Sequence, residues 1–191
     1  MSLLKDQITP LTDEDKKKLL EISRQTLNDY LTNYERPKYK VYLPNLLKPR
    51  PVFITLRDRK TNDLRGCRGG TKAESPLMEA VIKMTIASAT DDPRFSPLIL
   101  EDVPETKIEI NALTPLRRIK PYEVQVGKHG LMIVKDLHAG LLLPQVPVSF
   151  GWNQKKFLNQ VCIKAGLPPQ TWREETGVKL FGFESEEWGE E

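Results

Sequence analysis

Residues 52–70 read VFITLRDRKTNDLRGCRGG, and how this stretch folds decides the architecture around it. VFITL (52–56) is a short run of β-branched and apolar residues, DRKTND is a polar turn, and LRGCRGG (64–70) returns as a second extended segment. That pattern predicts a β-hairpin. Before it, Pro37, Pro44, Pro49 and Pro51 break residues 33–51 into an extended connector, because each proline disfavours helix in the residue it follows. After it, Ser75–Pro76 predicts a helix start with Ser as cap, followed by Leu77, Ala80, Val81, Met84 and Ala87 at helical spacing.

Working outward, Thr12 and Asp15 form an Asp variant of the capping box. They open a helix over 12–31 whose stripe is built from Leu20, Leu27 and Leu31, with Ile22, Ser23 and Tyr30 between. DDPRFSP (91–97) ends the central helix, and KIEINAL (107–113) alternates as a half-buried strand. HGLMIVKD and HAGLLLP predict another hairpin turning at 136–139. A helix over 153–165 follows, with Phe157, Leu158, Val161, Cys162 and Ala165 on one face and Gly166 just beyond its end. VKLFGFE (178–184) suits a last strand, and the acidic, aperiodic SEEWGEE (185–191) is expected to be loosely ordered, with Trp188 the one residue suited to docking.

Strands and helices do not alternate singly, so a doubly wound parallel sheet is disfavoured. The expected class is α+β, with mainly antiparallel sheets packed with helices. The order hairpin-then-helix occurs at 51–90 and again at 129–166, which suggests a β-β-α duplication. The expectation is a single domain over 1–191 made of two intimately packed subdomains, roughly 1–114 plus the C-terminal strand, and 115–170.

Composition narrows the function classes. Apolar residues at 39% and charged residues at 29% fit a folded chain in water, and no apolar run reaches bilayer length. The start, MSLLKDQITPLTDEDKKK, becomes charged too soon for a secretory signal. Two cysteines, Cys67 and Cys162, exclude a disulfide framework, and no His, Asp, Glu or Cys cluster has metal-ligand spacing. The expectations are a cytoplasmic setting, no protein-only metal centre and no membrane; nothing names a cofactor. Net charge is only +3 but unevenly spread: residues 51–72 carry six Lys/Arg against two Asp/Glu, whereas 171–191 carry seven Glu against two Lys/Arg. The basic block surrounds Cys67 with a local field suited to phosphates or other anions.

Simple alternation along the strand points Arg65, Cys67 and Gly69 to one face and Leu64, Gly66 and Arg68 to the other. Arg65 then sits about 7 Å along the strand from Cys67, where a guanidinium favours the thiolate and makes the sulfur nucleophilic. Gly66, Gly69 and Gly70 would remove side chains and let a ligand or another backbone approach closely. The plainer alternative is a small apolar residue packed in a strand. Cys162, on the apolar face of a helix, reads as packing. His129 is a candidate general base for Cys67, or a hydrogen-bonding residue at a strand start. Asp92 and Arg94 are candidates to grip a substrate, or a turn cap and its lock. Gln145 would bind a ligand's amide-like edge or satisfy loop backbone. Trp152 and Phe150 offer either a stacking surface or core.

The motifs LRGC-x-G (64–69), DPRF (92–95), VGKHGL (126–131), GLLLPQV (140–146) and GW (151–152), in that order, resemble the AMMECR-type domain family over almost the whole chain. The resemblance carries over to Leu64, Arg65, Gly66, Cys67 and Gly69, then Asp92, Pro93, Arg94 and Phe95. His129, Gly130, Leu143, Pro144, Gln145, Gly151 and Trp152 follow. It implies a two-part α+β unit whose domain, in many prokaryotes, is encoded beside or fused to Memo-type and radical-SAM proteins. It implies no established reaction, although nucleotide or nucleic-acid modification is the activity suggested for the family. Two positions depart from its pattern. Arg68 stands where an aliphatic residue is usual, so that face is open or the strand bulges, and Ser149 stands where Glu is common.

Three readings follow. The first is an enzyme or enzyme subunit that uses Cys67, with Arg65 beside it and His129 as proton carrier. Gly66, Arg68, Gly69, Asp92, Arg94 and Gln145 would then contact substrate. The second is a non-catalytic module that binds a nucleotide, RNA or another anion. The third is a subunit whose groove receives a peptide or a Memo-type or radical-SAM partner.

Overall fold

The computed structural model describes residues 9–174 and 176–191; the opening segment 1–8 read for a leader lies outside them. The chain divides into two units. One runs to Leu113 and adds Glu186–Glu191, and the other is Thr114–Ser185. The fold is α+β, with two four-stranded sheets packed with helices. No described helix is long and apolar enough to cross a membrane.

The first unit begins with helix α1 (Asp13–Asn33), and its cap is the one its sequence spells. Asp15 N donates to Thr12 Oγ1 at 3.1 Å and Thr12 N donates to Asp15 Oδ2 at 2.9 Å. Strands β1 (Val52–Asp58) and β2 (Leu64–Gly69) form the expected hairpin. Helix α2 (Leu77–Thr90) follows, but Ser75 does not cap it; Pro76 precedes the first turn with no side-chain cap. Strand β3 (Thr106–Leu113) pairs antiparallel with β1. The sheet order is β2-β1-β3-β8, where β8 is Ser185–Gly189. Leu19, Leu27, Ile54, Leu56, Val81 and Ile110 share one core, and inside it the Ser23 and Thr85 hydroxyls, on α1 and α2, bond at 2.7 Å.

The second unit carries strands β4 (Arg117–Arg118), β5 (Gly130–Lys135), β6 (His138–Leu142) and β7 (Val178–Phe183) in the order β4-β7-β5-β6. The short helix α3 (Gln145–Ser149) precedes α4 (Gln154–Lys164), which Asn153 caps through Lys156 N at 2.9 Å. Phe157, Val161 and Cys162 of α4 pack with Leu131, Ile133 and Leu180 of the sheet. Hairpin-then-helix thus recurs in both units, an order that does not by itself establish a duplication.

Two expectations about the C-terminus are corrected. The segment 178–184, read as the final strand, belongs to the second unit's sheet, and the strand that returns to the first unit is β8, one strand later. The acidic tail is ordered, because Glu186 and Glu190 are ion-paired to distant residues and Glu187 accepts from Asn111 Nδ2 at 3.1 Å. Glu186 reaches buried Arg50 at 2.9 Å and Lys16 at 3.3 Å. Glu190 pairs with Arg24 and Arg59 and accepts from Ile108 N at 3.1 Å. Trp188 Nε1 donates to Lys16 O at 3.0 Å. Cutting the chain after Ser185 would leave buried Arg50 with backbone carbonyls but no carboxylate, and would strip Arg24 of its partly buried one. Stripping one partner from a buried pair costs about 3–5 kcal/mol. Melting of the truncated chain, followed by circular dichroism, should therefore come at least about 6 °C earlier than for the full chain. An unchanged melting temperature would show that β8 holds nothing together.

Candidate functional site

The hairpin contains a bulge, and the bulge decides where Cys67 points. Near the turn, Arg57 pairs with Leu64; one step further Leu56 pairs with Gly66, so Arg65 is the extra residue. Without that slip the register would set Cys67 opposite Ile54, whose side chain is fully buried in the core. With it, Cys67 lies opposite Thr55 on the other face, and Thr55 Oγ1 donates to its sulfur at 3.4 Å. Simple alternation therefore fails at this point. Leu64 takes the face of Arg57, Thr55 and Cys67, not that of Gly66 as expected.

The glycines do something other than open the strand. A Cβ on Gly66 would lie 2.0 Å from the Ser88 carbonyl oxygen of α2, and one on Gly69 would lie 2.3 Å from the Phe53 ring. Both spaces are filled by the protein itself: of the two expected occupants, a backbone, that of α2, takes the place at Gly66, and the Phe53 ring takes the place of a ligand at Gly69. Gly70 alone in this run faces open space. Ser88 also joins the two strands: its hydroxyl accepts from Arg68 N at 2.9 Å and donates to Ile54 O at 2.8 Å. Arg68 lies past the end of this cover. Its side chain is exposed, and of the two explanations offered for its departure from the family pattern, the open face is the one seen.

Two residues after α2 ends, Asp92 turns back onto the outer edge of β2. Its carboxylate is buried and accepts from Cys67 N at 2.8 Å, from Arg94 Nε at 2.9 Å and from Arg94 Nη2 at 2.6 Å. The Arg94 guanidinium beside Asp92 holds that carboxyl well below the usual carboxylate range, against the opposing effect of burial. Arg94 itself is raised above its ordinary value, chiefly by Asp92, with the Cys67 charge as a further contributor. Its side chain stays 57% exposed and lies over the Phe95 ring at 5.2 Å. Arg65 goes elsewhere, to Asp102 at 3.7 Å and the Ser96 carbonyl at 3.5 Å. The guanidinium that accompanies Cys67 is thus that of Arg94, not the expected Arg65.

Cys67 is half-buried with a free thiol, whereas Cys162 is fully buried and burial pushes its thiol up. Cys67, Arg65, Gly66, Arg68, Gly69, Asp92 and Arg94 belong to the first unit; His129 and Gln145 belong to the second. Gln145 opens α3, and its carbonyl accepts from Ser149 Oγ at 3.1 Å, so the serine in the family's Glu position spends its hydroxyl within its own helix. Phe150, 68% exposed, stacks on Trp152 with centroids 5.1 Å apart. His138 opens β6 and reaches the Ala165 carbonyl at 3.2 Å. Thr55 and Ser88 went unread in the sequence. Only the bulged register reveals them, and no local signal marks the bulge.

His129 is buried to 2% exposure. Its Nδ1 lies 3.2 Å from Gln125 N and its Nε2 3.4 Å from the Arg117 guanidinium; both neighbours are donors, so the neutral ring accepts from one of them and an imidazolium could accept from neither. Burial first, then the Arg117 charge, depresses its pKa below 6.5. The sign follows directly. The unfolded chain binds the proton more readily than the fold does, so this stability is fully present above about pH 6.5 and is lost as pH falls toward the folded value. Urea midpoints measured from pH 7.5 to 5.5 should fall for the wild type and fall less steeply for His129→Gln. Parallel profiles would mean that the ring is not held neutral.

The family model AMMECR1 matches residues 20–188. Protein PH0010 of Pyrococcus horikoshii is 39% identical over 191 residues, covering 95% of this chain and 92% of its own, and Protein MK0488 of Methanopyrus kandleri is 36% identical over 95% and 91%. The crystal structure of the uncharacterized PH0010 superposes with a TM-score of 0.89 at 38% identity, covering 95% of this chain and 94% of that one. With a family model over residues 20–188 and relatives of this identity along nearly its whole length, the chain belongs to the AMMECR1 family.

Proposed function

We propose that the protein is a thiol-dependent enzyme or enzyme subunit that uses Cys67 as nucleophile or covalent anchor for an anionic substrate, with a nucleotide or nucleic-acid component as the substrate class. One observation carries this reading. A half-buried free thiol receives the Thr55 hydroxyl at 3.4 Å while its own backbone is held by an Asp92–Arg94 pair whose guanidinium remains open to solvent. The hydroxyl is a donor that stabilises sulfur carrying negative charge, and the guanidinium attracts anions and the thiolate alike. The Asp92 carboxylate is saturated by Cys67 N and Arg94, so its part is to position the thiol rather than to grip a substrate. Both cysteines are free thiols, which suits a reducing, cytoplasmic setting.

The second reading is a non-catalytic module that binds a nucleotide, RNA or a Memo-type or radical-SAM partner. The exposed Phe150 stacked on Trp152 favours it, since a planar ligand gains most from a ring already held in place.

The two readings separate on thiol chemistry. Native protein at neutral pH should be alkylated by iodoacetamide at Cys67 at least about tenfold faster than at buried Cys162. Iodoacetate, which carries a negative charge, should gain further from Arg94. Arg94→Gln should slow iodoacetate more than iodoacetamide, and Arg94→Lys should restore part of that preference. Peptide mapping reads both sites at once. An inert native Cys67 would eliminate the nucleophile and leave the binding module.

A further inference from the structure

A groove of about 610 Å³ lies where β2 runs out into Gly69 and Gly70. It is separate from the thiol. Ala80, Lys83 and Met84 of α2 line it, on the side of the sheet where α2 meets Gly66, and Cys67, on the face of Thr55, does not line it. The groove exists because the strand stops without side chains. Gly70 N closes the hairpin ladder on the Val52 carbonyl at 3.1 Å, and a Cβ at Gly70 would meet nothing within 4 Å.

Its chemistry is that of an apolar floor with a charged rim. Pro51, Val52, Ala80 and Met84 supply hydrocarbon. Of the charged residues around it, Arg36 and Glu79 neutralise each other at 2.6 Å. Lys72 and Glu74 stand 3.9 Å apart, both strongly exposed. Lys83 remains, and no carboxylate lies within 4 Å of its ammonium among the described residues. The residual charge is therefore one cation beside hydrocarbon, and the volume falls in the range of about 300–1,000 Å³ usual for small-molecule sites.

We infer that this groove binds a small organic anion, its carboxylate or phosphate on Lys83 and its apolar body on the half-buried Ala80 and Met84. Gly70 gives the ligand access to the floor, and the ion pair of Arg36 with Glu79 walls one side. A ligand held here does not need Cys67, so the site stands whether or not the thiol is reactive.

Amide shifts of the full chain, titrated with octanoate, adenosine monophosphate and octan-1-ol, test this. Octanoate and the nucleotide separate the two head groups, and the alcohol removes the charge. At least one anion should give saturable shifts at residues 69–72 and 80–84 with Kd below about 1 mM. Lys83→Gln should weaken it about tenfold or more, whereas Cys67→Ser should leave it unchanged. The inference is overturned if neither anion saturates by about 10 mM, if octan-1-ol binds as tightly as octanoate when octanoate is the anion that saturates, or if Lys83→Gln leaves Kd unaltered.

Discussion

The backbone of α2 rests directly on Gly66, and what is known of the thiol's surroundings depends on that approach. No side chain fits between them: even a methyl group would overlap the Ser88 carbonyl. The close contact lets the Ser88 hydroxyl enter the hairpin and bond both Ile54 and Arg68, register partners on neighbouring strands. A helix seated this low fixes β2 in height and register. It also fixes where α2 ends, and only two residues past that end Asp92 reaches the edge of β2.

Asp92 solves a second problem. β2 is an edge strand, and the Cys67 N–H faces away from β1, where an unpaired donor would be an invitation to another strand. A carboxylate satisfies it strongly, but burying a carboxylate alone is costly. Arg94 offsets that cost with two hydrogen bonds and stays more than half exposed. That edge donor is thereby satisfied within the chain, and the same carboxylate holds an exposed cation. Structural closure and local positive field come from the same pair of side chains.

Much of the scaffold was legible in local sequence because its causes are local. Thr12 and Asp15 cap α1 through bonds three residues apart, and the polar turn between a β-branched run and a second extended segment makes the hairpin. What was not legible depends on distant partners. SEEWGEE reads as a solvated tail because nothing nearby balances its charge, yet Glu190 meets Arg24, 166 residues away, and Glu186 meets Arg50. The site was half legible. Glycines beside a cysteine do signal close approach, but they do not say whether a ligand or a helix approaches. At Gly66 it is the helix. The bulge at Arg65 was invisible for a similar reason, since the register it sets brings Gly66 under α2, a contact with a helix some twenty residues further along the chain.

Assigning each shared residue its structural task leaves a remainder. Gly66 admits α2, Gly69 admits the Phe53 ring, and Asp92 caps the edge of β2. Arg65 leans on Asp102, and the buried ring of His129 is engaged within its own unit. Cys67 is different. Its backbone is used, but its side chain is turned by the bulge away from the core, where a sulfur would pack well, to a half-buried place beside a hydroxyl. Serine, alanine or threonine would serve the strand there without cavity or strain. Arg94 is different too, since an arginine that only neutralised Asp92 need not leave most of its length in solvent. The two residues whose side chains the fold least requires are linked through one carboxylate, since Asp92 takes the Cys67 N–H and the Arg94 guanidinium together.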